Sequence, residues 1–297
     1  MKNITIIGAG TMGNGIAHVF ALHGYPVVLV DLEEQRLTKA QATITKNLER
    51  QQSKELISEQ EKKQALLNLT LSTSLVEGSA MADLVIEAAT EQFPVKEKIF
   101  RELDECTRAN TILATNTSSI SITRLASVTK RPSQVIGMHF MNPVPVMKLV
   151  EVIKGYATNA DVTSVITTLA ESLDKIPLIV NDYPGFVSNR ILLPMINEAI
   201  QALHEGVAGV REIDQIMQLG MAHPMGPLKL ADFIGLDVCL SILRVLQEGF
   251  GNQKYAACPL LVNMVAAGKL GVKSGEGFYD YEEGPKSQKI AQSFRSA

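Results

Sequence analysis

A short β-branched run, Ile4-Thr5-Ile6-Ile7, feeds into Gly8-Ala9-Gly10-Thr11-Met12-Gly13, and an apolar segment with helical spacing (Gly13, Ile16, Ala17, Phe20) follows. Few local patterns constrain a fold so tightly. Glycines spaced in this way serve a tight turn, a close approach of backbone to a pyrophosphate, and close packing of helix on strand. Phosphates sit on the free N–H groups of a helix N-terminus, where the macrodipole favours negative charge. A second run, Val27-Val28-Leu29-Val30, ends at Asp31, about twenty residues past the turn, where an acid can accept hydrogen bonds from both ribose hydroxyls of an adenosine. The same carboxylate repels a 2′-phosphate, and Leu32, Glu33 and Glu34 supply no arginine to offset it. The pattern predicts a dinucleotide seat over Gly8, Ala9, Gly10, Thr11, Met12, Gly13 and Asp31, with NAD favoured over NADP. Flavin dinucleotides use the same turn, so the opening leaves the reaction undecided.

The 297 residues leave room for two domains at about 150 residues each. A hydrophobic content of 46% with 20% charged residues suits an ordinary enzyme with a full core. The net charge of −3 gives no reason to expect nucleic acid or an anionic membrane surface. Cys106, Cys239 and Cys258 are widely separated, which suggests neither a disulfide framework nor a metal site, only small buried hydrophobes in a reducing compartment. No window is apolar for long enough to span a membrane, and the expected location is cytoplasmic.

Beyond Asp31, residues 34–67 contain no Gly or Pro and alternate in charge, which predicts one or two exposed helices appended to the first half. Strands are expected at Leu69–Thr73, Asp83–Glu87, Thr111–Thr115, Val135–Phe140, Lys148–Ile153 and Ile176–Val180. Helices fall between them, one with Val95, Ile99, Phe100 and Leu103 on its apolar face. Strands alternating with helices imply a mostly parallel sheet covered on both faces. After Tyr183-Pro184-Gly185 the pattern becomes helical throughout: 191–203, 210–219, 228–250 and 259–267. The expected organisation is α/β: a Rossmann-type, mostly parallel sheet over residues 1–182, then an all-helical domain over 183–297.

Ligands of open α/β sheets bind beyond the carboxyl ends of the strands, where Asp31, Glu87 to Glu91, Asn116 to Ser119 and His139 fall. An imidazole can both take up and release a proton, so His139 suits proton transfer; taken alone, a histidine inside an apolar strand is also an ordinary structural residue. Glu151, on the next strand, could orient and charge-stabilise the imidazole, or lie solvated at a strand edge.

The runs Gly137-Met138-His139-Phe140-Met141-Asn142-Pro143 and Lys148-Leu149-Val150-Glu151-Val152-Ile153 resemble the L-3-hydroxyacyl-CoA dehydrogenase family. So do Glu87-Ala88-Ala89-Thr90-Glu91, Asn116-Thr117-Ser118-Ser119, Pro184-Gly185-Phe186-Val187-Ser188-Asn189-Arg190 and Lys273-Ser274-Gly275-Glu276-Gly277-Phe278-Tyr279. The likeness spans nearly the whole chain, and the length without a fused hydratase domain is similar to the stand-alone 3-hydroxybutyryl-CoA members. The resemblance implies His139 as general base, Glu151 as its charge partner, and Ser118 and Asn189 at the reacting end of an acyl-CoA thioester. It implies cofactor contacts from Glu91, Lys96, Asn116, Ser118, Asn142 and Lys273 besides the glycine turn. A cytoplasmic homodimer formed through the helical domain, working in fatty-acid metabolism, is the further expectation. Singly, Ser118 could cap a helix near Ile120, Asn189 could cap the following helix, and Lys96 could lie on a solvated face. The basic turn that meets CoA phosphates in the family is reduced here to Ser53-Lys54-Glu55-Leu56-Ile57. Lys54 is its one lysine and the expected substrate anchor. A related dehydrogenase of a non-CoA 3-hydroxy compound, of gulonate or carnitine type, and a non-catalytic NAD-binding protein are the alternatives.

Overall fold

The computed structural model describes residues 1–295 and divides into two compact units, Met1–Phe186 and the chain from Val187 onward. The first unit runs β1 (Ile4–Ile7), α1 (Thr11–Leu22), β2 (Val27–Val30), α2 (Glu34–Ser53), α3 (Glu59–Leu67), β3 (Leu69–Ser72), α4 (Leu75–Ser79), β4 (Leu84–Glu87) and α5 (Phe93–Cys106). It continues with β5 (Ile112–Thr115), α6 (Ile122–Ala126), β6 (Val135–Phe140), β7 (Leu149–Lys154), α7 (Ala160–Glu171) and β8 (Ile176–Asn181). The strands form one eight-stranded sheet in the order β3-β2-β1-β4-β5-β6-β7-β8. Pairing is parallel throughout except between β6 and β7. The order reverses between β1 and β4, and this switch point opens a crevice outside the carboxyl ends of those strands.

The strands are apolar on both faces because both faces are covered. Ile4, Ile6, Leu84 and Ile86 pack with α1, α2 and α7 through Phe20, Ile44 and Ile166. Their neighbours Ile7 and Val85 point the other way, toward Phe100 and Leu103 of α5 and Leu125 of α6. The polar stretch over 34–67 is two helices. Leu37, Ala40, Ile44 and Leu48 bury one stripe of α2, the chain turns through Glu55 at φ 57°, and Ser58 with Glu61 closes a capping box on α3.

The second unit holds α8 (Ser188–His204), α9 (Val210–Gly220), α10 (Pro227–Ile234), α11 (Leu236–Phe250) and α12 (Pro259–Ala266) around Leu193, Ile196, Leu228, Leu243, Leu261 and Phe278. The single apolar-periodic segment expected over 228–250 is two helices. Gly235 separates them at φ 100°, a backbone region that side chains with a Cβ rarely adopt. Residues 276–281 return to this bundle through two buried carboxylates. Asp232 accepts the Phe278 and Tyr279 amides and the Tyr281 hydroxyl at 2.9–3.0 Å, and Asp214 accepts the Tyr279 hydroxyl at 2.7 Å. Burial pushes the Asp232 carboxyl up to about 6 despite those donors. Among the described residues, no helix is long and apolar enough to cross a membrane.

Candidate active site

At the end of β1 the chain turns through Gly8 at φ 102°, where the Gly8 amide donates to the Val30 carbonyl at 2.7 Å. A Cβ on Gly8 would lie 2.7 Å from the Ala88 carbonyl oxygen, and one on Gly13 only 1.7 Å from the Gly8 carbonyl oxygen. These two glycines let α1 and β4 close upon the turn. Gly10 differs: a Cβ there would meet nothing within 4 Å. Its bare face borders a cleft of about 530 Å³ walled by the turn, by α2 through Arg36, Lys39 and Asn47, and by Asn142 and Pro143. α1 starts at Thr11 without a side-chain cap, so its first N–H groups are left for an anion. Asp31 follows β2 directly, and its carboxylate accepts the Ala9 amide at 2.8 Å. The space, the uncapped helix start and the acid together fit a dinucleotide.

Further along the same edge of the sheet, His139 is the penultimate residue of β6 and faces Glu151 of β7 in register. Their Nδ1 and Oε2 atoms are 2.8 Å apart, with side-chain exposures of only 10% and 3%. A carboxylate can only accept, so Nδ1 carries the hydrogen and Nε2 is left as the basic nitrogen. The Phe186 ring stands 6.0 Å from the imidazole, centre to centre. Asn116, just past β5, accepts the Phe140 amide at 2.9 Å and so fixes the strand end that carries the histidine.

With this geometry in place, likeness to known proteins decides the family. Residues 3–183 match 3-hydroxyacyl-CoA dehydrogenase, NAD binding domain, and residues 185–281 match 3-hydroxyacyl-CoA dehydrogenase, C-terminal domain. The chain belongs to the 3-hydroxyacyl-CoA dehydrogenase family. A 3-hydroxybutyryl-CoA dehydrogenase of Bradyrhizobium diazoefficiens is 53% identical over 281 residues, covering 95% of this chain and 96% of that protein. A probable 3-hydroxybutyryl-CoA dehydrogenase of Bacillus subtilis is 52% identical over 95% of this chain and 98% of its own length. The crystal structure of (S)-3-hydroxybutyryl-CoA dehydrogenase PaaH1 from Ralstonia eutropha superposes with a TM-score of 0.92 at 48% identity, covering 95% of this chain and 99% of that one. The chain is therefore an oxidoreductase acting on a CH–OH group.

In this dehydrogenase the loop after β5 is held from below. Glu91 Oε1 gathers the Thr117, Ser118 and Ser119 hydroxyls and the Ser118 and Ser119 amides at 2.5–3.3 Å. Burial disfavours the charged form of Glu91, but Lys96 and these donors outweigh it and hold the carboxyl below its usual range. Ser118 does not cap the next helix; Ser121 caps α6. Lys96 lies inward, 1% exposed, between Glu87 at 2.7 and 2.9 Å and Glu91 at 3.4 Å. The solvated-face alternative for Lys96 is thereby removed.

Asn142 lines the cleft, whereas Lys54 stands exposed at the end of α2. Two cations that the motif reading passed over, Arg36 and Lys39, do line it; their one-turn spacing on α2 was the available signal. Lys175, also unforeseen, is buried and donates to the Val144 and Met147 carbonyls at 2.6 and 2.9 Å, pinning the turn that carries Asn142. In the helical unit, Asn189 is the second residue of α8, and Lys273 pairs with Asp237 at 2.7 Å.

Proposed function

We propose that this chain is an NAD-dependent dehydrogenase of short-chain (S)-3-hydroxyacyl-CoA thioesters, interconverting 3-hydroxybutyryl-CoA and its 3-keto product. The observation that carries the reading is the buried His139–Glu151 couple, 2.8 Å across, at the sheet edge where the glycine turn opens. Names borne by relatives that are about half identical to this chain support the substrate class. Gly8, Ala9, Gly10, Thr11, Met12 and Gly13, with Asp31 as the acceptor for ribose hydroxyls, would hold NAD, which would supply a hydride acceptor. Asn116, Asn142 and Lys273 are assigned as further cofactor contacts.

His139 Nε2 takes the 3-hydroxyl proton as hydride leaves C3, and the C3–O bond becomes a carbonyl. Glu151 stabilises the imidazolium so formed and keeps the ring in the tautomer that can accept. In the reverse direction the same Nε2–H returns the proton to the carbonyl oxygen. Ser118 donates to the substrate oxygen, Asn189 is assigned as a further substrate contact, and the exposed Lys54 attracts the CoA phosphates. The helical unit forms the homodimer.

The test is NADH oxidation with acetoacetyl-CoA, a longer 3-ketoacyl-CoA and non-CoA 3-keto acids, each repeated with NADPH. Rapid turnover of acetoacetyl-CoA with NADH alone is expected. Turnover confined to the non-CoA acids would replace the substrate assignment, and no turnover with any of them would overturn the catalytic reading. Lys54→Glu should raise KM for acetoacetyl-CoA; an unchanged KM removes Lys54 as the anchor.

A further inference from the structure

We propose that Glu33 is a cofactor-specificity residue. By pairing with Arg36 it silences a guanidinium on the cleft wall that would otherwise receive a 2′-phosphate, so that NADPH is turned away by two acids together and not by Asp31 alone. This rests on the assignment of NAD to the glycine turn and adds to it the residues that set the choice of nucleotide.

A chain of polar contacts joins these side chains to the turn. The Ala9 amide donates to Asp31 Oδ2 at 2.8 Å, and the Glu33 amide donates to Asp31 Oδ1 at 3.3 Å. Each oxygen keeps a lone pair for a ribose hydroxyl, but a carboxylate has no hydrogen to offer a phosphate. The Glu33 carboxylate in turn accepts Arg36 Nη2 at 2.9 Å. Arg36 is the third residue of α2 and borders the same cleft as Ala9 and Gly10. Lys39, Thr43 and Asn47 carry that stripe on along the helix, so the guanidinium belongs to the face that looks toward the turn.

An arginine near the end of the second strand is a general means of accommodating a 2′-phosphate in a dinucleotide seat, and its planar fork matches phosphate oxygens. Arg36 has the position and the reach, being 61% exposed. Its neighbour decides the outcome. With Glu33 ionised, the side chains of Asp31, Glu33 and Arg36 together carry one net negative charge; with Glu33 neutral they carry none, and the fork is released. An exposed ion pair adds little to stability, and α2 is already seated by Leu37, Ala40, Ile44 and Leu48. The consequence of the pair therefore lies in the field it presents to a ligand.

The test titrates NADPH and NADH into the full-length protein by fluorescence, without substrate, beside thermal melts that confirm folding. Glu33→Gln should raise the affinity for NADPH relative to NADH by about tenfold, the low end for a charge-assisted hydrogen bond because the site is open to solvent. That gain should shrink as salt is added, since exposed charges are screened. The double variant Glu33→Gln/Arg36→Gln should lose the gain, and Arg36→Gln alone should keep the wild-type ratio within about twofold, because the arginine is already silenced. The same ranking should appear in kcat/KM for the two nucleotides with acetoacetyl-CoA. An unchanged ratio in Glu33→Gln overturns the proposal. So does a gain that survives in the double variant, which would place the receiving cation elsewhere. A loss of NADPH affinity in Arg36→Gln alone also overturns it, since the arginine would then be acting unsilenced. A wild-type protein that binds neither nucleotide would sink the NAD assignment and this proposal with it. Binding of NADH without turnover of any acyl-CoA would sink the catalytic reading only, and the titrations would still judge Glu33.

Discussion

Alanine at Gly10 tests the cofactor's location with little risk to the fold. Gly10 has φ −69° and ψ −169°, an extended conformation open to alanine, and its added Cβ would meet nothing within 4 Å. Lower chain entropy in the unfolded state favours alanine by about 0.4–1 kcal/mol. Alanine is the poorer N-cap by a similar amount, about 0.5–1 kcal/mol. The two offset, so the melting temperature should move by no more than about 2 °C. The methyl group would, however, occupy the side of the turn that a pyrophosphate must approach. Losing one charge-assisted hydrogen bond to a backbone amide costs about 1.5–3 kcal/mol, roughly a 10- to 150-fold rise in the NADH dissociation constant. Fluorescence titration beside a thermal melt reads both quantities. Gly13→Ala is the contrasting control, since its Cβ would stand 1.7 Å from the Gly8 carbonyl oxygen and the fold itself should suffer. Wild-type NADH affinity in Gly10→Ala would refute the assignment of the turn as the pyrophosphate seat.

Other consequences can be checked with the same preparation. His139→Gln should cut turnover by about two to four decades with NADH binding intact, and Glu151→Gln, which keeps an acceptor but loses the charge, by roughly 10- to 150-fold; unaltered steady-state rates would remove either residue from the reaction. Lys175→Met deprives the Val144 and Met147 carbonyls of their donor and should cost about 2 kcal/mol, read as a melting temperature lower by about 4–8 °C; no shift would mean that the turn holds without it. Carbon-detected titration should place Asp232 near 6, against about 3.9 in an unfolded chain. The folded form thus holds this proton more tightly, so the stability Asp232 contributes is full below about pH 4 and lost as pH climbs through 6; a midpoint at the unfolded value would contradict the burial argument.

Local pattern carried most of the first unit. The β1–turn–α1–β2–Asp31 segment is legible because each residue's role depends on near neighbours, and the β6–β7 pair because a proline-rich turn joins two apolar runs. The helix over residues 93–106 shows where such reading stops. Hydrophobicity picked Val95, Ile99, Phe100 and Leu103 as the inner face, yet the buried residues are Lys96, Phe100 and Leu103. The face is rotated by one position because a lysine turns inward, and only the carboxylates of Glu87 and Glu91 make that affordable. Lys175 escaped notice because its acceptors are backbone carbonyls 28 and 31 residues away, which no side-chain motif encodes. The break at Gly235 was hidden by an apolar periodicity that runs through it on both sides.

The antiparallel step between β6 and β7 also guards the register that joins His139 to Glu151. Val150 and Val152, which flank Glu151, lie in the same apolar layer as Met138 and Phe140. If β7 slipped by a single residue, the carboxylate would be driven into that layer while a valine faced the imidazole. An uncompensated charge there would cost several kcal/mol, so the observed register is favoured over its one-residue neighbours. The pairing of His139 with Glu151 is thereby set by hydrophobic sorting, before any substrate is present to select for it.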